Sequence, residues 1–220
     1  LDNERRWYRY HHLFAELLRN RLARAYPDQV AGLHRRASDW YAHNNLPNEA
    51  IAHALEIHDW QRAAELIEHN YRSMWLHGEI GILRDWLESF PDAFRLERIK
   101  LELIHAWTLT MANQLDHADG LLDRIMPLVQ SVPVLLGESL AVRVMLAAYR
   151  SDMPAVIQLA QQAISLMSPE ETFIRSIVML SLGVAYYDMS NDISAAKTAF
   201  REAHELGNTA GTSDTLEKNP

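Results

Sequence analysis

The chain has 220 residues, 48% hydrophobic and 23% charged, a globular balance that excludes a disordered or fibrous protein. Eight glycines and eight prolines are too few to turn many short strands, so helices are the default, and a core is affordable at this length. The absence of cysteine excludes a disulfide framework, thiolate zinc, iron–sulfur ligation and a cysteine nucleophile together. The net charge of −8 is uneven: residues 1–36 hold eight arginines against Asp2, Glu4, Glu16 and Asp28, a local balance of +4 that leaves −12 on the remainder. Most of the chain would therefore repel a phosphate backbone, and neither direct nucleic-acid binding nor a membrane role is expected.

No apolar run reaches the roughly 18 residues needed to span a bilayer; the longest, Ile177 to Tyr187, is shorter and carries Ser181 and Gly183. The opening Leu1-Asp2-Asn3-Glu4-Arg5-Arg6 has no secretory apolar segment and no initiator methionine, which reads as a cytoplasmic fragment.

Trp7-Tyr8-Arg9-Tyr10 reads as a short strand. Leu13, Phe14, Leu17, Leu18 and Leu22 then fall on one helical stripe ended by Pro27. Asp28 is placed to cap a helix carrying Val30, Leu33, Ala37, Trp40 and Tyr41, which stops at Asn44-Asn45-Leu46-Pro47. Asn48 opens a short helix with Ala50, Ile51, Ala54 and Leu55, and Asp59 caps one with Ala63, Ile67, Tyr71 and Met74, which Gly78 stops. A further stripe, Ile82, Leu83, Trp86, Leu87 and Phe90, ends at Pro91.

From about Arg95 the pattern repeats. Ala118/Leu122/Ile125, Val156/Ala160/Ala163 and Ala196/Phe200/Ala203 share one register, with first members 38 and 40 residues apart. Polar turns precede them at Asn113-Gln114-Leu115-Asp116, Ser151-Asp152-Met153-Pro154 and Ser190-Asn191-Asp192-Ile193. One such hairpin cannot bury its own apolar face, so neighbours must stack. The expected fold is all-α, a solenoid of about five antiparallel helical hairpins. Its regions are 1–27 (a linker helix), 28–92 (irregular hairpins), 93–207 (regular repeats) and 208–220, where Asn208 to Thr215 reads as a tail or the start of another repeat.

The last repeat, Leu182-Gly183, Ala185-Tyr186-Tyr187, Ala196, Phe200 and Ala203, resembles a tetratricopeptide repeat, although Ser190 stands where that family usually has glycine. Tyr8-Arg9-Tyr10-His11-His12-Leu13-Phe14 with Leu17, Leu18 and Leu22 resembles the end of a winged-helix region, which places residues 1–27 there. The continuation, Leu33-His34-Arg35-Arg36-Ala37, Trp40-Tyr41, Asn48-Glu49-Ala50-Ile51, His53-Ala54 and Asp59-Trp60, is similar to large bacterial regulators of the maltose-regulon activator type. Those are STAND-class ATPases with a helical-repeat sensor and a LuxR-type helix-turn-helix. The resemblance implies a fragment running from the winged-helix tail into a tetratricopeptide-like sensor superhelix. No phosphate-loop motif and no basic helix pair after Gly207 is present, so no cofactor is expected on this segment.

The chemical motifs mostly have structural explanations. His11-His12 and the group His53, His58 and His69 lack the i, i+3 or i, i+4 spacing of a helical metal site. Glu170-Glu171 follows Pro169, where acidic residues favour a helix N-terminus, and no nucleophile has a positioned base, so an enzyme is not expected. Trp40, Trp60, Trp86 and Trp107 are assigned to the core, and Arg19, Arg21 and Arg24 to a solvated helix face. The first helix of each hairpin lines the concave side, which nominates Thr108, Met111, Tyr149, Tyr187 and Asp188, with Arg143 as a cation for an anionic group. The expected role is effector sensing: a small inducer or regulatory protein binds the concave surface and acts on a neighbouring ATPase module of the parent chain. The alternative is a stand-alone tetratricopeptide-like protein–protein adaptor.

Overall fold

A computed structural model describes residues 12–190 and 192–217, apart from the side chains of His12, Ser190 and residues 211–217. Among the described residues there are twelve helices and no strand, the all-α, solenoid-like arrangement expected. They are α1 (His12–Ala25), α2 (Pro27–His43), α3 (Pro47–Glu56), α4 (Trp60–Leu76), α5 (Ile80–Ser89) and α6 (Asp92–Glu97), followed by α7 (Ile99–Met111), α8 (Leu115–Val129), α9 (Pro133–Tyr149), α10 (Met153–Leu166), α11 (Thr172–Ser190) and α12 (Ile193–Glu217). The proposed strand at Trp7–Tyr10 lies outside the described residues. The chain divides into two compact units, 1–70 and 71–220, the division falling inside α4.

In the first unit α2 packs on α3 through small residues. Ser38 and Ala50 are fully buried, and the Ser38 hydroxyl donates to the Ala50 carbonyl at 2.8 Å. That close approach leaves no room for an indole, so Trp40 is 49% exposed; Trp60, at the start of α4, is only half-buried, and both depart from the expectation. Asp28 does not cap α2: Pro27 takes the first helical position after Tyr26, and Asp28 sits in the first turn. Pro47 likewise opens α3. Asp59 does cap α4, its carboxylate accepting from the Arg62 amide at 3.3 Å. The α1 stripe is exposed, with Leu13 at 63% and Leu17 at 61%.

In the second unit α7 packs on α8, α9 on α10 and α11 on α12, while α7, α9 and α11 pack successively on one another. The repeat register holds: Ala118, Leu122, Ile125, Val156, Ala160 and Ala163 are fully buried, and Phe200 sits at 36% exposure over Gly183. A Cβ on Gly183 would lie 2.6 Å from the Phe200 ring, and one on Gly137 would lie 2.8 Å from the Met167 amide nitrogen, so glycine is what lets these paired helices meet. Trp107 and Trp75 are buried, whereas Trp86 is half-buried. Residues 208–217 continue α12 as helix.

Five turns close in one way. Asn45, His58, Gly78, Asn113 and Ser151 each adopt positive φ of 54–75° after a helix. The next amide, of Leu46, Asp59, Glu79, Gln114 or Asp152, returns to a carbonyl five residues back at 2.9–3.0 Å. This is the Schellman cap, which satisfies the last carbonyls of one helix and starts the next two residues later.

Candidate functional site

In the second unit α7, α9 and α11, the helices expected to line the concave side, pack in succession, and α7 decides how much of that row is open. Every residue from Leu101 to Thr110 is buried, because α7 is apolar all round and α5, α6, α8 and α9 pack against it. Its remaining face meets aromatics: the Trp75 indole donates to the Thr108 hydroxyl at 3.2 Å and its ring lies 6.1 Å from that of Trp107 and 6.4 Å from that of Phe173. Arg72 bridges the same end, ion-paired with Glu171 and set over the Tyr71 and Phe173 rings at 5.5 and 5.8 Å. Only about 10 Å³ is left among Tyr71, Lys100, Ile104, Trp107, Glu138 and Glu171, room for one water. Burial, and then Glu171, raise the Glu138 carboxyl above the usual range.

Thr108 is therefore removed from the nominated surface. It is fully buried, and its hydroxyl donates to the Ile104 carbonyl at 2.7 Å while accepting from Trp75. Arg143 is not a free cation either: it meets Asp123 at 2.6 Å and Asp119 at 3.4 Å, in a cross-helix ladder that Arg150 shares through Asp119 and Asp116. The other nominated residues are exposed at the C-terminal ends of the inner helices: Met111 at 38% on α7, Tyr149 at 47% on α9, and Tyr187 at 62% with exposed Asp188 on α11. Leu180 and Val184, at 52% and 44%, fall in line with Tyr187 at i, i+4 and i+7 and extend the stripe; proximity to the turns, the signal that nominates Tyr187, does not reach them.

A second polar constellation also escaped the sequence. Arg95 is buried and donates to the Leu87 and Phe90 carbonyls at 2.8 and 3.0 Å, capping the end of α5, while also pairing with Asp92 and with Glu102 at 3.3 Å. Glu102, with no exposed surface, also receives Arg124 at 3.0 Å. Its second oxygen and both ring nitrogens of the adjacent His105 are buried without a hydrogen-bond partner, His105 Nδ1 standing 3.9 Å from that oxygen. Burial first, then Arg95 and Arg124, push the His105 imidazole down to about 4, and burial raises the Glu102 carboxyl. These residues lie scattered over 92–124 and carry no motif spacing, so only their packing reveals them.

In the first unit His53 and His34 face each other through their Nδ1 atoms at 3.0 Å, and Tyr41 stacks on His53. Burial, and then His34, lower the His53 pKa. Among the described residues no group of three or more ligand-type side chains is placed to hold a metal, and no helix is long and apolar enough to cross a membrane.

Comparison with known proteins agrees with the N-terminal resemblance. Residues 1–30 match the family described as MalT winged helix domain. The chain is 33% identical over 123 residues to the serine/threonine-protein kinase PknK of Mycobacterium tuberculosis (strain H37Rv), 56% of this chain and 11% of that protein. It is 30% identical over 124 residues to the HTH-type transcriptional regulator MalT of Klebsiella pneumoniae (strain 342), 56% of this chain and 14% of that protein. The matched part is thus a small fraction of either relative. No solved structure matches the chain.

Proposed function

We propose that this chain joins a winged-helix region to the helical-repeat sensor of an ATP-dependent LuxR-type transcriptional regulator acting in the cytoplasm. The observation that carries the reading is the winged-helix match over residues 1–30 on the same chain as tandem capped hairpins. Similarity to one protein named as a regulator and another named as a kinase supports a module that different outputs can share. The α1 stripe of Leu13, Leu17 and Leu18 is the face on which the remainder of the winged-helix region packs in the parent protein.

The effector, a small inducer or regulatory protein, binds across Met111, Tyr149, Leu180, Val184 and Tyr187 at the ends of the inner helices. Tyrosine supplies amphipathic contact area at low entropic cost. Such binding shifts the adjoining ATPase module only if its affinity differs between that module's closed and open states. No catalytic group, ATP site or DNA contact is assigned to this segment.

Thermal-shift screening of the chain against small metabolites and candidate proteins tests the reading, because a binder of the folded form raises its melting temperature. A binder whose effect is abolished in Tyr149→Ala and Tyr187→Ala supports it; one unaffected by both places the effector elsewhere. The adaptor alternative is separated by the reading frame upstream of Leu1: a phosphate-loop motif there supports the regulator, and a start codon within a few residues supports the adaptor.

A further inference from the structure

Helices α5, α7 and α8 border an open cleft of about 380 Å³, within the size range of small-molecule sites. It exists because α5 and α8 both pack on α7 but make little contact with each other. Leu109 and Leu121 give it an apolar lining, and Gly120 keeps it wide, since a Cβ there would meet no atom within 4 Å. His105 and Arg124 supply polar walls, with Glu88 of α5 and Asp116 of α8 beside them.

Arg124 is the informative residue. One terminal nitrogen is tethered to the fully buried Glu102, which is its one partner among the described residues, while the side chain as a whole is 41% exposed. A guanidinium anchored through one nitrogen holds the rest of its planar donor set in a fixed orientation, the arrangement that takes a carboxylate with two parallel hydrogen bonds. Beside it the His105 ring lines the cleft, with its buried nitrogens turned from solvent and Nδ1 3.9 Å from Glu102 Oε2. Two carboxylates also border the cleft, Glu88, which meets Arg84 at 3.8 Å, and Asp116, which meets Arg150 at 3.3 Å; with Arg124 the one lining cation, they argue against phosphate or a dicarboxylate.

We propose that this cleft binds a small organic monocarboxylate with a short apolar body. The carboxylate takes the unused donors of Arg124, and the hydrocarbon lies on Leu109, Leu121 and the open face of Gly120. The inference does not depend on the effector site at the inner-helix ends.

The test is titration of the chain with hexanoate, read through the ring resonances of His105 and His117, both of which line the cleft. Saturable shifts are expected. Gly120→Leu, which fills the cleft without a backbone clash, should weaken binding about tenfold or more. Arg124→Lys keeps a charge beside Glu102 but loses the paired donors, and should weaken it by about threefold or more. Hexylamine and inorganic phosphate should bind at least about tenfold more weakly than hexanoate, and Tyr187→Ala should leave hexanoate binding unchanged. Circular dichroism reports whether each variant folds; should Arg124→Lys fail to, Gly120→Leu decides alone. Non-saturable shifts, full affinity in Gly120→Leu, or equal binding of hexylamine or phosphate would overturn the proposal.

Discussion

Helices α1 and α7 are both rich in apolar residues, yet Leu13 and Leu17 of α1 lie more than half exposed while every residue of α7 from Leu101 to Thr110 is covered. A regular stripe, as in α1, announces that a helix has one partner face without saying whether that partner is at hand. A helix without a polar side, as in α7, must be surrounded, and it then carries its polar residues Glu102, His105, Thr108 and Thr110 inward with it. Those residues must be satisfied by neighbours or by one another, so the α7 surroundings hold most of the unusual chemistry in the chain.

The contrast can be broken experimentally, and the largest effect is expected at Arg95. Arg95→Ala strips the cap from α5 and leaves Glu102 buried with a single cation, and should cost about 3–5 kcal/mol in chemical denaturation. A loss below about 1 kcal/mol would mean that solvent reaches the cluster. Leu101→Ala, on the enclosed α7, should cost about 3 kcal/mol by the same measurement. Gly137→Ala forces a methyl against the Met167 backbone and should cost about 2 kcal/mol, more than Gly183→Ala, where the Phe200 ring can move aside.

His105 sharpens the comparison through pH. The unfolded imidazole takes up a proton near 6.5 and the folded one only near 4, so its contribution to stability is whole above 6.5 and is lost as pH falls toward 4. Glu102 on the same helix works in the opposite sense, its raised pKa favouring protonation in the fold, while Arg95 and Asp92 from α6 and Arg124 from α8 face the ring. His105→Phe removes the imidazole alone. Relative to the parent it should gain about 1.4 kcal/mol on going from pH 7.5 to pH 5.5, measured as the difference between two denaturation series. An unchanged difference would show that the ring already titrates normally. The smallest effect is expected on α1, where Leu17→Ser should alter the stability of this chain by less than about 0.5 kcal/mol. A larger loss would show that the stripe is already buried against something in solution.

Much of the helical punctuation was readable beforehand. Asp59, Gly78, Pro91 and the turns at Asn113 and Ser151 stand at helix boundaries, because caps and breakers act within a few residues of where they occur. The shared Schellman geometry was readable only in part: Gly78, Asn45 and Asn113 are residue types that accept positive φ, whereas His58 and Ser151 adopt the same backbone without that signature. Of the nominated surface, Met111, Tyr149, Tyr187 and Asp188 are exposed, but Thr108 is not, because its helix has no free side and Trp75 comes from another element to cover it. Trp40 failed in the opposite direction: its spacing was right for a buried stripe, and Ser38 took the contact because a small hydroxyl allows α2 and α3 to approach more closely.

The order of residues alone determined that this chain is helical, where most helices stop, and that its C-terminal half repeats in pairs with small residues at the crossing points. All of these follow from interactions between near neighbours. Tertiary packing decided which faces are covered, that Arg95, Glu102, His105 and Arg124 converge, and that a cleft remains between α5 and α8. Those outcomes depend on how far apart whole helices settle, a distance set by side chains meeting across the fold and not by the spacing along any one helix.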